Sequence, residues 1–168
     1  MLYRYLFVAI ACITLLIGIQ VPNFLSQYHQ RLHAQLTEVT ENLSGFQQIA
    51  DRHFNGDLAA LINHHKTSND TVFREEAMPL QAMYNRWQRF AAEQRALQVS
   101  YPAQLLHLVV AADKEIRTAT WQQYSYAVPL TTRALVTGGV FTLIVLLVLD
   151  ILKGLLRRLF GRSKKLAH

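Results

Sequence analysis

Cysteine is almost absent from this sequence, since Cys12 is the only one among 168 residues. A single cysteine excludes an intrachain disulfide and any site in which several thiolates of one chain hold a metal ion. Charged residues are also scarce, at 17%, whereas hydrophobic residues make up 51%. Because the charged residues are unevenly distributed, their positions are more informative than their number.

Charge is missing altogether from two long stretches, one near each end of the chain. Residues 6–21 and residues 134–149 contain no Asp, Glu, Lys or Arg. With their flanking residues, both stretches reach the roughly 20 residues that a helix needs to cross a bilayer. We therefore predict transmembrane helices over residues 3–22 and 130–152.

Each stretch also has an alternative interpretation. The residues from Ala9 to Cys12 hint at the cleavage box of a lipoprotein signal peptide, but the apolar run continues well past Cys12, which favours an uncleaved anchor. After the second stretch, Asp150 lies three residues from Lys153 and fits an ion pair at the membrane interface. An intramembrane functional carboxylate is the alternative for Asp150.

Positive charge is concentrated after the second stretch. From residue 150 to the end there are six basic residues and one acidic residue, whereas residues 22–129 contain nine and ten. A nucleic-acid binder needs a basic stripe on a folded face, and the neutral middle excludes that class. By the positive-inside rule the tail, 153–168, is cytoplasmic, so two spans place both termini in the cytoplasm and the middle, 23–128, in the periplasm.

The tail either binds anionic lipid headgroups or acts only as the orientation signal. Its candidate headgroup ligands are Arg157, Arg158, Arg162, Lys164 and Lys165.

Small residues recur at a spacing of four within both predicted spans. This spacing lets helix backbones approach closely, either between the two spans or between protomers. The candidate packing residues are Thr14, Gly18, Ala134, Gly138 and Gly139.

The middle of the chain has the apolar periodicity of helices, with steps of three and four residues and no sustained alternation. Pro22 permits a kink, after which one stripe predicts a helix from about Asn23 to His53 with a coiled-coil-like seam. The stripe consists of Leu25, Tyr28, Leu32, Leu36, Val39, Leu43, Phe46 and Ala50. Residues 55–57 predict a turn, with Asp57 as the cap of a second helix.

Two further helices complete the predicted domain. The third follows the polar residues 67–70, with Glu75 and Glu76 near its start and its apolar face from Leu80 to Leu97. Pro79 marks an alternative start or a kink. The fourth follows Pro102 and ends near Pro129, with Leu105, Val109, Ala112, Ile116 and Thr120 on its stripe. The fold class predicted is thus an all-α membrane protein, with two antiparallel transmembrane helices and an extramembrane, coiled-coil-like domain of about four helices between them.

Motifs of catalysis and cofactor binding are missing from the sequence. There is no Gly-rich phosphate loop, no Gly-x-Ser-x-Gly elbow and no His-Glu-x-x-His pair, so we predict no enzyme and no cofactor. Histidine is the one suggestive residue type, with seven in all. His29 and His33 are four apart on one predicted helix, the spacing that offers two imidazoles to one metal ion. A folded cluster of the histidines could also act as a pH sensor, because imidazole titrates near neutrality. The alternative is that both are solvated positions beside the apolar stripe.

Three strings carry a resemblance to a known family: GIQVPNF at 18–24, GFQQ at 45–48 and ADRHFNGD at 50–57. They resemble a bacterial membrane-protein family catalogued as domain of unknown function 2937, over nearly the whole chain. The resemblance implies a location in the bacterial inner membrane and assigns no activity or site residues.

The function expected from these features is that of a non-enzymatic scaffold or accessory subunit of an envelope complex. Its expected partners are membrane lipids and either a second copy of the chain or an envelope protein complex, without nucleic acid. The alternative hypothesis is a periplasmic metal or ligand sensor that uses the helix-borne histidines.

Overall fold

The computed structural model describes residues 2–127 and 131–161, with side chains for residues 5–127 and 131–155. Its helices are α1 (Leu2–His53), α2 (Leu58–Lys66), α3 (Thr71–Ala96), α4 (Tyr101–Val110), α5 (Lys114–Gln122) and α6 (Thr132–Gly161). No strand occurs in either described segment. The prediction of an all-α chain is confirmed, and both α1 and α6 are long and apolar enough to cross a membrane.

The chain divides into two compact units. The first contains the described residues up to Ser26 and from Tyr124 onward, and the second is Gln27–Gln123. The predicted bounds of the spans refer to a bilayer and stay predictions, as does the coiled-coil character of the seam.

Helix α1 passes through Pro22 without ending there, so the predicted start of a separate helix near Asn23 is wrong. Proline removes one backbone N–H from the helix ladder. The residues on both sides of Pro22 nevertheless belong to one helix of 52 residues. The end of this helix at His53 agrees with the prediction.

The segment that precedes α6 is fixed to α1 by the side chain of Asn23. Its Nδ2 donates to the backbone oxygens of Ser125 and Ala127, each at 3.0 Å. The Tyr124 hydroxyl donates to Gln20 Oε1 at 2.6 Å. These contacts give the backbone of a segment without secondary structure the hydrogen-bond partners that it would otherwise take from water.

The core of the second unit is built on the predicted stripe of α1. Tyr28, Leu32 and Val39 on this stripe are buried, and Phe46 packs against the core from a partly buried position. The other helices contribute Leu58, Leu61, Ile62, Leu80, Phe90, Leu97 and Ile116. Hydrophobic burial of these side chains is the main source of stability for a domain that has no disulfide.

The turn between α1 and α2 has the conformation that its sequence predicts. Asn55 and Gly56 both have positive φ angles, of 51° and 81°. Asp57 then caps α2 by accepting a hydrogen bond from Ala60 N at 3.0 Å. In α3, Asp70 is the cap, so the helix begins before Glu75 and Glu76 as predicted. Pro79 lies inside the helix, so the alternative in which the helix starts at Pro79 is wrong.

The predicted fourth helix is in fact two helices, α4 and α5, and neither reaches Pro129. The break at residues 111–113 forms because Asp113 starts a new helix, accepting from Ile116 N at 3.0 Å. The Asp113 N–H is also held, donating to the Tyr28 hydroxyl at 3.0 Å. The break changes which residues face inward, so Ile116 is buried while Val109 is 77% exposed.

Candidate functional site

Three of the five predicted packing residues, Thr14, Gly18 and Gly138, lie where α1 and α6 meet in the first unit. A Cβ added at Gly18 would lie 2.8 Å from Gly138 Cα, and one added at Gly138 would lie 3.1 Å from Leu15 O. The first distance is shorter than the contacts that Cβ atoms make and the second is tighter than most of them, so the two backbones approach closely at these glycines. Ala134 is fully buried, and the Thr14 hydroxyl lies 3.4 Å from that of Thr142.

Gly139, the fifth packing residue, lies in a different environment. No described heavy atom is within 4 Å of a Cβ added there. The contact between the two helices therefore does not require a glycine at this position. Packing against another protomer, the other predicted role of these small residues, stays a prediction for Gly139.

The two predicted metal ligands, His29 and His33, lie on α1, with His29 partly buried and His33 exposed. Among the described residues, no group of three His, Cys, Asp or Glu side chains is placed to hold a metal ion. Another histidine, His65, is buried against the Phe73 ring, and its Nδ1 is 3.9 Å from Glu76 Oε2. A metal ion bound by His29 and His33 alone stays a prediction.

The five basic residues predicted to contact lipid headgroups fall beyond the described side chains. Residues 157 and 158 belong to the backbone of α6, whereas 162, 164 and 165 follow its described end at Gly161. Their role in binding lipid or in setting orientation stays a prediction.

A buried network of polar side chains joins α1, α3 and α4, and the sequence analysis missed it. Tyr28 is 0% exposed and donates from its hydroxyl to Glu93 Oε1 at 2.5 Å. His107 Nε2 lies 2.9 Å from the same oxygen. Two groups from different helices therefore converge on one carboxylate oxygen, which satisfies a charge that would be costly to bury alone.

The ionisation of Tyr28 is suppressed in this network. Burial of the side chain, reinforced by its hydrogen bond to the Glu93 carboxylate, raises the pKa of Tyr28 above its ordinary value. Tyr28 therefore stays protonated through the neutral and mildly alkaline range and keeps donating to Glu93.

The same network extends to the start of α5 through an ion pair. Arg89 Nε lies 2.8 Å from Asp113 Oδ2, and the Asp113 side chain is only 6% exposed. Arg86 and Arg89 also pair with Glu115 and lie over the Phe90 ring, each 5.1 Å from its centroid. These contacts hold α5 against α3 and fix the break between α4 and α5.

One signal in the sequence could have revealed Glu93. The apolar face of α3 repeats through Phe90 and Leu97, and the position between them that falls on the same face is occupied by Glu93. An acidic residue at a buried helix position requires a partner. Its partners, Tyr28 and His107, had no local signature, because a tyrosine fits an apolar stripe as well as a phenylalanine does.

Helix α4 presents an apolar face to solvent. Leu106, Val109 and Val110 are 66%, 77% and 73% exposed, and no residue of α4 is fully buried. The polar side chains of the helix turn the other way, since His107 reaches Glu93 and Gln104 donates to the Leu97 and Val99 oxygens. We call Leu106, Val109 and Val110 the α4 face. Exposed clusters of large apolar side chains mark contact surfaces in soluble domains.

Comparison with known proteins identifies one family. The model of the family described as Protein of unknown function (DUF2937) matches residues 2–162. No curated protein and no solved structure matches the chain. Because the match covers essentially the whole sequence, the chain belongs to this DUF2937 family of unknown function.

Proposed function

We propose that this protein is a membrane-anchored, non-enzymatic scaffold or accessory subunit of a protein complex in the bacterial envelope. The observation that carries the proposal is the α4 face, which exposes Leu106, Val109 and Val110. Leaving three large aliphatic side chains in water costs free energy that a partner would recover by covering them.

A protein partner fits the α4 face better than a lipid surface does. Helices that lie on a bilayer carry Lys or Arg beside their apolar residues to meet anionic headgroups. Helix α4 has the sequence YPAQLLHLVV, without any Lys or Arg. An apolar helix or surface patch of an envelope protein is the partner that this composition supports.

The proposed membrane arrangement is a pair of antiparallel spans with both termini in the cytoplasm. Contacts between the helices support it, because Thr14 meets Thr142 while Gly18, four residues later, meets Gly138, four residues earlier. The basic tail supports the cytoplasmic placement of the termini. The domain between the spans would then lie in the periplasm, where it meets envelope partners.

The buried network supports a non-enzymatic role. Tyr28, Glu93 and His107 bring three titratable side chains together, but Tyr28 is 0% exposed, Glu93 is 8% exposed and the His107 side chain is 19% exposed. A catalytic group needs to reach its substrate. Largely buried side chains that join three helices fit a structural role better than a catalytic one.

The sensor hypothesis is less well supported. Its predicted metal ligands are His29 and His33, and no third His, Cys, Asp or Glu among the described residues joins them. Structural zinc sites in proteins commonly use four ligands and catalytic zinc sites three.

The proposal is tested by changing the α4 face in the full-length protein. In native membranes, Val109→Asp is expected to lower co-purification of specific envelope proteins at least about tenfold, as seen for changes at the centre of an interface. Thr118→Asp places the same charge on an exposed position of α5 and is the matched control. Quantitative mass spectrometry of the tagged proteins compares the two.

A second measurement distinguishes protein from lipid. A photo-reactive side chain at position 109 is expected to form an adduct with one or a few proteins, whereas position 118 is not. Lipid adducts at position 109, or equal co-purification by both aspartate variants, would contradict the proposal. Circular dichroism and thermal unfolding of both variants confirm that the fold is intact.

A further inference from the structure

The second unit contains an open groove that is separate from the buried network and from the α4 face. It lies between the last part of α1, the turn into α2 and the middle of α3, and its volume is about 610 Å³. This size falls within the range of roughly 300–1,000 Å³ that small-molecule sites occupy. We call it the aromatic groove. Its lining residues are Thr40, Leu43, Ser44, Gln47, Gln48, Gly56, Asp57, Leu58, Tyr84 and Trp87.

One wall of the aromatic groove is a pair of stacked rings. Tyr84 and Trp87 are one turn apart on α3, with ring centroids 5.9 Å apart and planes inclined by 12°. Both rings are partly buried against the hydrophobic core, which holds them in place. A pre-positioned indole offers a flat surface on which the apolar body of a ligand can stack, and its negative π face favours a ligand that carries positive charge.

Three polar side chains of the aromatic groove, those of Thr40, Ser44 and Gln47, present oxygen atoms to a ligand because their hydrogens are already donated elsewhere. The Thr40 hydroxyl donates to Leu36 O and the Ser44 hydroxyl to Glu41 O, both at 2.7 Å. Each hydroxyl oxygen keeps its lone pairs for a ligand.

Gln47 follows the same rule. Its Nε2 donates to Asp51 Oδ1 at 2.8 Å and to Gly56 O at 2.9 Å. Since both partners are acceptors, the nitrogen must face them, and the Oε1 atom is the end left for a ligand. A ligand of the aromatic groove is therefore expected to supply hydrogen-bond donors.

The charge of the lining favours a cation. Asp57 is the one ionic residue among the ten that line the aromatic groove. A second carboxylate, that of Asp51, accepts a hydrogen bond from the lining residue Gln47. The start of α2 also opens here and by itself would attract an anion. However, the Asp57 carboxylate already caps that helix, so an incoming anion would meet a negative charge.

We propose that the aromatic groove binds a small organic cation, an amine or guanidine on an apolar body. The apolar body stacks on Trp87, and the N–H groups donate to Asp57 and to the oxygens of Thr40, Ser44 and Gln47. This assignment is independent of the α4 face and of the partner proposed for it.

Three probes with one apolar body and different charges test the proposal: benzylamine, benzyl alcohol and benzoate. The chain has two tryptophans, so full-length Trp121→Phe protein in detergent makes Trp87 the sole tryptophan reporter. Benzylamine, which is cationic at neutral pH, is expected to change Trp87 fluorescence saturably. The alcohol and benzoate are expected to bind at least about tenfold more weakly.

Two aspartates that cap helices provide a matched pair of variants. Asp57→Asn keeps a side chain that caps helices well but removes the charge, and is expected to weaken benzylamine binding about tenfold. Asp70→Asn makes the same change at the cap of α3, away from the lining, and is expected to leave binding within about twofold. Calorimetry provides a second measure of affinity, and circular dichroism confirms that both variants are folded.

A lysine side chain of another polypeptide carries the same ammonium chemistry. A blocked Ala-Lys-Ala tripeptide is therefore titrated beside benzylamine, and weaker binding of the tripeptide is expected. Tighter binding of the tripeptide would reassign the aromatic groove to a protein partner. The proposal is also overturned by the absence of saturable benzylamine binding, by equal or tighter binding of the alcohol or benzoate, or by equal effects of the two asparagine variants.

Discussion

At the scale of single residues, Tyr28 combines two roles that normally belong to different side chains. Its ring fills the centre of the core, as the apolar stripe of α1 requires, and its hydroxyl lies between Glu93 Oε1 and the Asp113 N–H. Removing the hydroxyl would leave the buried Glu93 carboxylate and the part-buried Asp113 amide each short of one partner, which costs about 1–3 kcal/mol.

Tyr28→Phe is expected to lower the free energy of unfolding at neutral pH by about 1–3 kcal/mol. It is also expected to make the free energy of unfolding fall less steeply as the pH rises into the alkaline range. The folded protein raises the pKa of Tyr28 above 10.0, its ordinary value in the unfolded chain. The stabilisation from a neutral Tyr28 is therefore complete below about pH 10 and is lost as the pH rises above it, by about 1.4 kcal/mol per pH unit. The free energy of unfolding of both proteins, measured between about pH 8 and pH 11, checks this.

The control for this prediction is Tyr126→Phe, because Tyr126 is exposed. It should lower the free energy of unfolding at neutral pH by less than Tyr28→Phe does. Parallel alkaline slopes for the unchanged protein and Tyr28→Phe would show that Tyr28 ionises alike in the folded and unfolded states.

At the scale of elements, Gly138 and Gly139 are neighbours in α6 and lie in different surroundings. Gly138 touches α1, with Ile19 Cγ1 2.7 Å from an added Cβ, whereas Gly139 has open space. A helix rotates about 100° per residue, so neighbouring residues face different ways. Only the packing of the two helices decides which of the adjacent small residues lies at their contact.

Gly18→Ala and Gly139→Ala are expected to change stability in opposite directions. The new methyl at position 18 would meet the Gly138 backbone at 2.8 Å, so the helices must separate, at a cost of about 1–3 kcal/mol. At position 139 the methyl meets nothing within 4 Å, and alanine favours the helix by up to about 1 kcal/mol. Thermal unfolding of the full chain in detergent measures both. A Gly18→Ala protein as stable as Gly139→Ala would rule out close backbone contact at this point.

Element boundaries followed the sequence where a local signal set them and departed from it where a distant contact did. The turn at Asn55 and Gly56 and the cap at Asp57 are local, and they were predicted. The break between α4 and α5 is held in part by the contact of Asp113 N with Tyr28, 85 positions away. The apolar pattern of residues 101–129 cannot predict this contact, because Tyr28 lies outside that range.

At the scale of the whole molecule, the orientation across the membrane is expected to follow charge. The six basic residues after position 150 are the largest charge asymmetry in the sequence. A reporter that is active only in the cytoplasm should be active when it is fused after His168. A reporter that is active only outside the cytoplasm should be active when it is inserted at Asn55–Gly56. The activity of each fusion in intact cells checks this. The reverse pattern would invert the orientation while leaving the two spans in place.

The sequence by itself determined the apolar ends, the helical periodicity of the middle, the capped turn at 55–57 and the family resemblance. These features are properties of neighbouring residues, and hydrophobic spacing and capping act over one or two helical turns. The tertiary structure alone decided that Glu93 is paired with Tyr28 and His107, that the α4 face points outward, and that Tyr84, Trp87 and Asp57 line one groove. Each of these depends on side chains brought together from different helices, and Tyr28 and Glu93, 65 positions apart, meet only once the core has packed.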